Sequence, residues 1–136
     1  MDLEVKGKRA VITGGSVGIG LAVAHALAAE GVDIVILARD QARVEREAAA
    51  IGKTYRVKSL GIAADVAKMV DIEAAIASIR ELFDGVDILI NNAGTGTSET
   101  IMEAPDDKWQ YFWDLHVMGA VRVSRAVVPL MRKRGG

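Results

Sequence analysis

Between the first apolar run and the first helical stretch the chain reads Thr13-Gly14-Gly15-Ser16-Val17-Gly18-Ile19-Gly20, with glycines spaced Gly14-x-x-x-Gly18-x-Gly20. A residue without Cβ lets a backbone come close to a bulky ligand. Free N–H groups at a helix start carry partial positive charge and accept phosphate oxygens as partners. Glycines at this junction therefore predict a cradle for a pyrophosphate, and Ser16 adds a hydroxyl donor to the same loop. A glycine-rich strand-to-helix turn without any ligand would use the same residues, so the pattern draws its force from its surroundings. It is not the ATP-type loop, which needs Gly-Lys-Ser/Thr after four intervening residues; no lysine stands here.

Other residues with chemical potential lie at the ends of later apolar runs. Ala38 is followed by Arg39, whose guanidinium can clamp a phosphate bidentately. Asp40 beside it can pair with Arg39 or cap the next helix, and Arg39 could equally be an ordinary surface residue. Asp65-Val66 precedes a helix, so Asp65 can also serve as a cap or turn residue. Asn91-Asn92-Ala93-Gly94 closes another apolar run, where the amides can tie down a strand end. His116 stands in a helical stretch with either a reactive or a merely hydrogen-bonded role, while His25, within an Ala-rich helix, is expected to be structural. Nothing in the order of His, Asp and Glu predicts a metal site, and with no cysteine there are neither disulfides nor thiolate ligands.

The elements that must position these groups alternate regularly. Arg9–Thr13 is short, apolar and β-branched, as expected of a buried strand. A helix is predicted over Ile19–Glu30 with Gly31 as its stop, a second strand over Val32–Ala38, and a helix capped by Asp40 that runs to Ile51 and stops at Gly52. A third strand follows over Ser59–Ala64. Ile72, Ile76, Ile79 and Phe83 define one face of a helix over Asp71–Phe83. A fourth strand covers Val86–Ile90, then a small polar loop, Thr95–Pro105, suited to border a site. A long helix is expected from about Asp106 to Lys133, spanning roughly 40 Å if continuous, with kinks at Gly119 and Pro129. Gly135-Gly136 reads as a turn toward a fifth strand. Short buried strands joined by helices imply parallel pairing and right-handed crossovers. The fold class is α/β: a doubly wound Rossmann-type parallel sheet of four strands in the order 3-2-1-4, with its ligand at the carboxyl ends of the strands.

Composition limits the function. The 136 residues are 51% hydrophobic and 26% charged, with a net charge of −1, which predicts a single globular domain and gives no reason to expect nucleic acid as a partner. The basic run Arg132-Lys133-Arg134 reads as a solvated helix end. Residues 1–6 lack the apolar core of a signal peptide and no stretch is long enough to span a bilayer, so a soluble cytoplasmic protein with no membrane partner is expected. Trp109, Tyr111, Phe112 and Trp113 are expected to serve helix packing or a subunit contact.

Thr13-Gly14-x-x-x-Gly18-x-Gly20, Asp65-Val66 and Asn91-Asn92-Ala93-Gly94, in that order, resemble the N-terminal half of a classical short-chain dehydrogenase/reductase across essentially the whole chain. The resemblance implies a nicotinamide dinucleotide held by Thr13, Gly14, Ser16, Val17, Gly18, Ile19 and Gly20 at its pyrophosphate. It places Asp65 and Val66 at the adenine, and Asn92, Ala93 and Gly94 along the cofactor. Where members that use NAD carry Asp at the end of the second strand, this chain has Ala38 and then Arg39, so NADP(H) is expected over NAD(H); at Val17 many NADP users carry a basic residue. The family's Tyr-x-x-x-Lys pair is not present. Tyr55 and Tyr111 are followed four residues on by Ser59 and Leu115, and residues 1–136 are expected to form an incomplete dinucleotide-binding domain without the catalytic Tyr, Lys and Ser. The family's relay Asn is replaced by His116. The resemblance implies hydride transfer between the nicotinamide and a small-molecule carbonyl or alcohol, in a homo-oligomer. A non-catalytic dinucleotide-binding module is the alternative, and a methyltransferase a more distant one.

Overall fold

The structure, a computed structural model, describes residues 1–135. Four strands, β1 (Arg9–Thr13), β2 (Asp33–Ala38), β3 (Ser59–Ala63) and β4 (Ile88–Ile90), form one parallel sheet in the order β3-β2-β1-β4, as the sequence predicts. In register, Val11 pairs with Val35 and Leu89, so Thr13, Ala38, Ala63 and Ile90 end along one rim. The crossovers are α1 (Gly18–Ala29), α2 (Gln41–Tyr55) and α3 (Met69–Leu82). After β4 come α4 (Asp106–Phe112), a π-helical turn over Trp113–Met118, and α5 (Gly119–Arg132).

Side chains alternate across the sheet, and both faces are covered. Ala10, Ile12, Ile34 and Ile36 pack with the apolar faces of α1 and α2, around Ala24, Ala28, Val44 and Ile51. Val11, Val35 and Leu37 face the other way, onto Ile72, Ile76 and Ile79 of α3 and Val123, Val127 and Leu130 of α5. This is why the strands read as unbroken apolar runs rather than alternating ones. The predicted face of α3, including Phe83, is buried throughout.

Several boundaries differ from the sequence reading, each for a local reason. α2 does not stop at Gly52 but continues to Tyr55 and ends at Arg56, which takes a left-handed φ of 56°. Gly52 instead makes room for the returning chain: a Cβ there would lie 3.3 Å from the Val57 carbonyl oxygen. The Tyr55 hydroxyl meets His25 Nδ1 at 3.1 Å and so fixes the last turn of α2 to α1. β4 is shorter than predicted because the Val86 N–H donates to the Leu130 carbonyl of α5 at 3.2 Å, not to a strand. The expected long helix is interrupted one turn earlier than its glycine. Its six-residue π turn ends at Gly119, where a Cβ would sit 3.2 Å from Val66 Cγ2. Arg134 of the basic run is not simply solvated: its Nε lies 3.1 Å from Asp87 Oδ1. The turn proposed at Gly135-Gly136 extends, at Gly136, outside the described residues.

Candidate functional site: a cleft at the carboxyl rim of the sheet

A cleft of about 480 Å³ opens where β1, β2, β3 and β4 end. The crossovers to either side of β1 run to opposite faces of the sheet, which leaves a crevice at that point. Its floor is the glycine loop, and the three glycines act differently. Gly14 has φ 65°, and a Cβ on it would strike the Ala93 Cα at 2.9 Å. Gly18 has φ 60° but open space around it, so its backbone conformation is what requires glycine, and the space above it stays free. Gly20 lies flush against the Gly14 carbonyl and the Asn92 side chain, which any Cβ would displace. Ser16 is buried at the loop, whereas Val17 and Ile19 stand 60% and 77% exposed on the wall of the cleft. α1 starts at this loop with neither a capping side chain nor an acidic residue in its first turn. Its dipole and leading N–H groups are therefore uncompensated by protein groups.

The opposite wall is tied to the loop by Thr13. Its Oγ1 accepts from the backbone N–H groups of Asn92 and Ala93, both at 3.0 Å, and Asn92 Nδ2 donates to the carbonyls of Thr13 at 3.2 Å and Gly14 at 3.1 Å. Thr13 itself lies just behind the cleft, while Asn92, Ala93 and Gly94 line it. Asn91 points away and donates to Ser124 Oγ of α5. On the β3 side Asp65 and Val66 line the cleft. Asp65 is also a turn residue, accepting from the Ala67 N–H at 2.9 Å, and its own N–H is held by Asp71 Oδ2.

At the end of β2 the cleft meets Arg39, Asp40 and Arg43. Asp40 caps α2 through the Arg43 N–H at 3.0 Å, with its other oxygen 4.0 Å from Arg43 Nε. Arg43 escaped the sequence reading. The signal was present: a side chain three residues beyond a helix N-cap points back over the helix start, and so toward Arg39. Arg39 Nη1 donates to the Tyr111 hydroxyl at 3.3 Å.

His116 is not on the cleft surface. It stands behind Gly94 and Thr95, with Nε2 accepting from the Thr95 N–H at 3.3 Å and Nδ1 at 3.0 Å from the Phe112 carbonyl oxygen. A carbonyl only accepts, so the hydrogen belongs on Nδ1 and Nε2 is left as the acceptor. Beyond it the 95–105 loop is folded by its own polar contacts. The Lys108 ammonium and the Thr97 hydroxyl hold the Glu99 carboxyl below its ordinary range, and the Thr100 N–H does the same for Glu103. Among the described residues no group of His, Asp and Glu is arranged for a metal, and no helix is long and apolar enough to cross a membrane.

Residues 8–136 match the short chain dehydrogenase family. The chain belongs to that family. It is 51% identical to L-sorbose reductase from Gluconobacter frateurii, solved with NADPH and L-sorbose, at a TM-score of 0.96, covering all of this chain and 52% of that one. It is 35% identical over 136 residues to galactitol 2-dehydrogenase of Agrobacterium fabrum, covering 98% of this chain and 52% of that protein. It is 36% identical over 130 residues to dehydrogenase/reductase SDR family member 4 of Bos taurus, covering 95% of this chain and 46% of that protein. The chain thus spans about half the length of the curated relatives it matches. Its sheet is the NAD(P)-binding, Rossmann-like fold of short-chain dehydrogenases. The uncapped helix start and the open space at Gly18 fit the pyrophosphate of a nicotinamide dinucleotide.

Proposed function

We propose that this chain holds NADP(H) in preference to NAD(H), as the cofactor-binding part of a short-chain-type oxidoreductase acting on a small carbonyl or alcohol. The observation that carries the reading is the meeting, in one cleft, of the glycine loop with two guanidiniums and no uncommitted carboxylate at the end of β2. Ser16 and the loop from Thr13 to Gly20, with Val17 and Ile19 as its apolar wall, take the pyrophosphate. Arg39, joined by Arg43, takes the 2′-phosphate; the Asp40 carboxylate lines the same cleft but is engaged by the α2 cap and lies 4.0 Å from Arg43 Nε. Asp65 and Val66 border the adenine, and Asn92, Ala93 and Gly94 run along the cofactor toward the nicotinamide. When bound, the cofactor supplies or accepts the hydride.

His116 takes the position of the family's relay Asn, and its role here is to hold the Gly94–Thr95 backbone from behind. The tautomer with hydrogen on Nδ1 keeps Nε2 free to accept the Thr95 N–H. Homo-oligomerisation is supported by a line of exposed apolar side chains four residues apart along α4, the π turn and α5: Trp109, Trp113, Val117 and Val121.

The test is a pair of titrations with NADPH and NADH, followed by carbonyl-dependent NADPH consumption across aldehydes, ketones and ketoses. Tighter NADPH binding with turnover supports the whole reading. Tighter NADH binding overturns the cofactor assignment. Binding with no turnover on any substrate favours a non-catalytic dinucleotide module.

A further inference from the structure

We propose that Tyr111 is a positioning residue for the 2′-phosphate: its phenol oxygen holds the Arg39 guanidinium at the cleft mouth and thereby sets how strongly the site prefers a 2′-phosphorylated dinucleotide. The inference rests on the assignment of Arg39 to that phosphate.

Arg39 leaves the sheet at the end of β2 as an exposed side chain, while Tyr111 comes from α4, 72 residues further along. Tyr111 does not line the cleft. Its ring is partly buried against the core on the α3 and α5 side of the sheet and lies 5.6 Å from the Phe112 ring, so the hydroxyl is presented from a fixed base. The bond from Arg39 Nη1 to this hydroxyl is the only side-chain partner of Arg39 among the described residues. Asp40, its chain neighbour, is occupied with the α2 cap and Arg43.

The chemistry of the partner matters. A free arginine fork gives up rotamer freedom when it is immobilised on a ligand, and a side chain that orders it beforehand reduces that cost. A carboxylate could order it too, but would neutralise the guanidinium and compete with the phosphate dianion. A phenol accepts one N–H, leaves the charge intact, and leaves the remaining donors of the fork for the phosphate. Tyr111 therefore acts on 2′-phosphate affinity without touching the cofactor, and it gives no advantage to a dinucleotide that lacks this phosphate.

The experiment is a double-mutant cycle on the purified protein, with Tyr111→Phe, Arg39→Ala and the double variant titrated against NADPH and NADH by cofactor fluorescence. Tyr111→Phe keeps the packed ring, and matching thermal melts check that the fold is unchanged. The expected result is about three- to tenfold weaker NADPH binding in Tyr111→Phe, unchanged NADH binding, and a double variant no weaker than Arg39→Ala alone. Equal loss for both cofactors, no loss, or additive losses in the double variant overturn the proposal. Failure of the parent assignment looks different: Arg39→Ala itself then leaves NADPH binding unchanged.

Discussion

Replacing Thr13 by Val tests how the two walls of the cleft are joined. The side chains match in shape, so the change removes one oxygen and little else. That oxygen is the acceptor for two backbone N–H groups, those of Asn92 and Ala93, each at 3.0 Å, and Thr13 is 2% exposed, so water has little access to replace it. A net hydrogen bond contributes about 1 kcal/mol, and leaving a buried donor without a partner costs about 1–3 kcal/mol. Two part-buried donors therefore predict a loss of about 2–4 kcal/mol. Urea denaturation followed by circular dichroism reads this as a lower midpoint at unchanged slope. Nucleotide binding should weaken in parallel, because Asn92 and Ala93 form the wall that faces the glycine loop. Thr13→Ser, which keeps the oxygen, should recover most of both losses. A Thr13→Val protein within about 0.5 kcal/mol of the parent, a range ordinary for surface changes, would refute the claim that this hydroxyl holds the cleft together.

Arg39→Ala should weaken NADPH binding about 10- to 100-fold, the range for a lost charge-assisted contact, with a smaller effect on NADH, and Arg43→Ala should act in the same direction but less; both are read by titration. The two loop glycines should separate by mechanism. Gly18→Ala costs about 1–2 kcal/mol of left-handed strain and adds a methyl group that meets no protein atom at the start of α1, so it should show mainly as lost cofactor affinity. Gly20→Ala collides with the Gly14 carbonyl and the Asn92 amide and should lower the melting midpoint as well. Partial burial pushes the Asp87 carboxyl up, but the Arg134 guanidinium and the Arg9 N–H outweigh it and hold the group below its ordinary value of 3.8. Its contribution to stability is therefore full above that unfolded value and lost as pH falls through the lower folded one. Arg134→Gln should flatten the decline in stability below about pH 4 in acid titrations of the fold.

The sheet order and the layering were legible because continuous apolar strands between helices leave few other arrangements, and the glycine loop announced its place at the end of β1. What could not be read came from distant pairs. The Gly52 stop failed because the chain returns past that glycine, a fact fixed by Val57 and Ser59 and not by helix propensity. The π turn has no signature of its own; it ends at Gly119, where the helix passes close to Val66. Of the residues that line the cleft, Ser16 was legible from the glycine loop, Arg39 from its place at the end of β2, and Asp65 and Asn92 through the family resemblance. Arg43 was not, because its position depends on the direction of a helical side chain over its own N-terminus. Tyr111 was expected to serve helix packing or a subunit contact, and the bond from Arg39 to its hydroxyl joins residues 72 apart in the chain, which no local pattern announces.

The latch between Thr13 and Asn92 joins residues 79 apart in the chain, whereas β1, β2 and β3 are all present by Ala63. On a ribosome the first three strands can assemble while the partner for the second edge of β1 is still unmade, for about one to five seconds at about 5–20 residues per second. During that interval the glycine loop exists but has no facing wall, and the nucleotide has no complete cleft to enter. Since a ligand that binds only the finished state stabilises that state alone, the cellular dinucleotide pool acts late in the chain's life history, as a reward for docking β4 rather than as a nucleus for it.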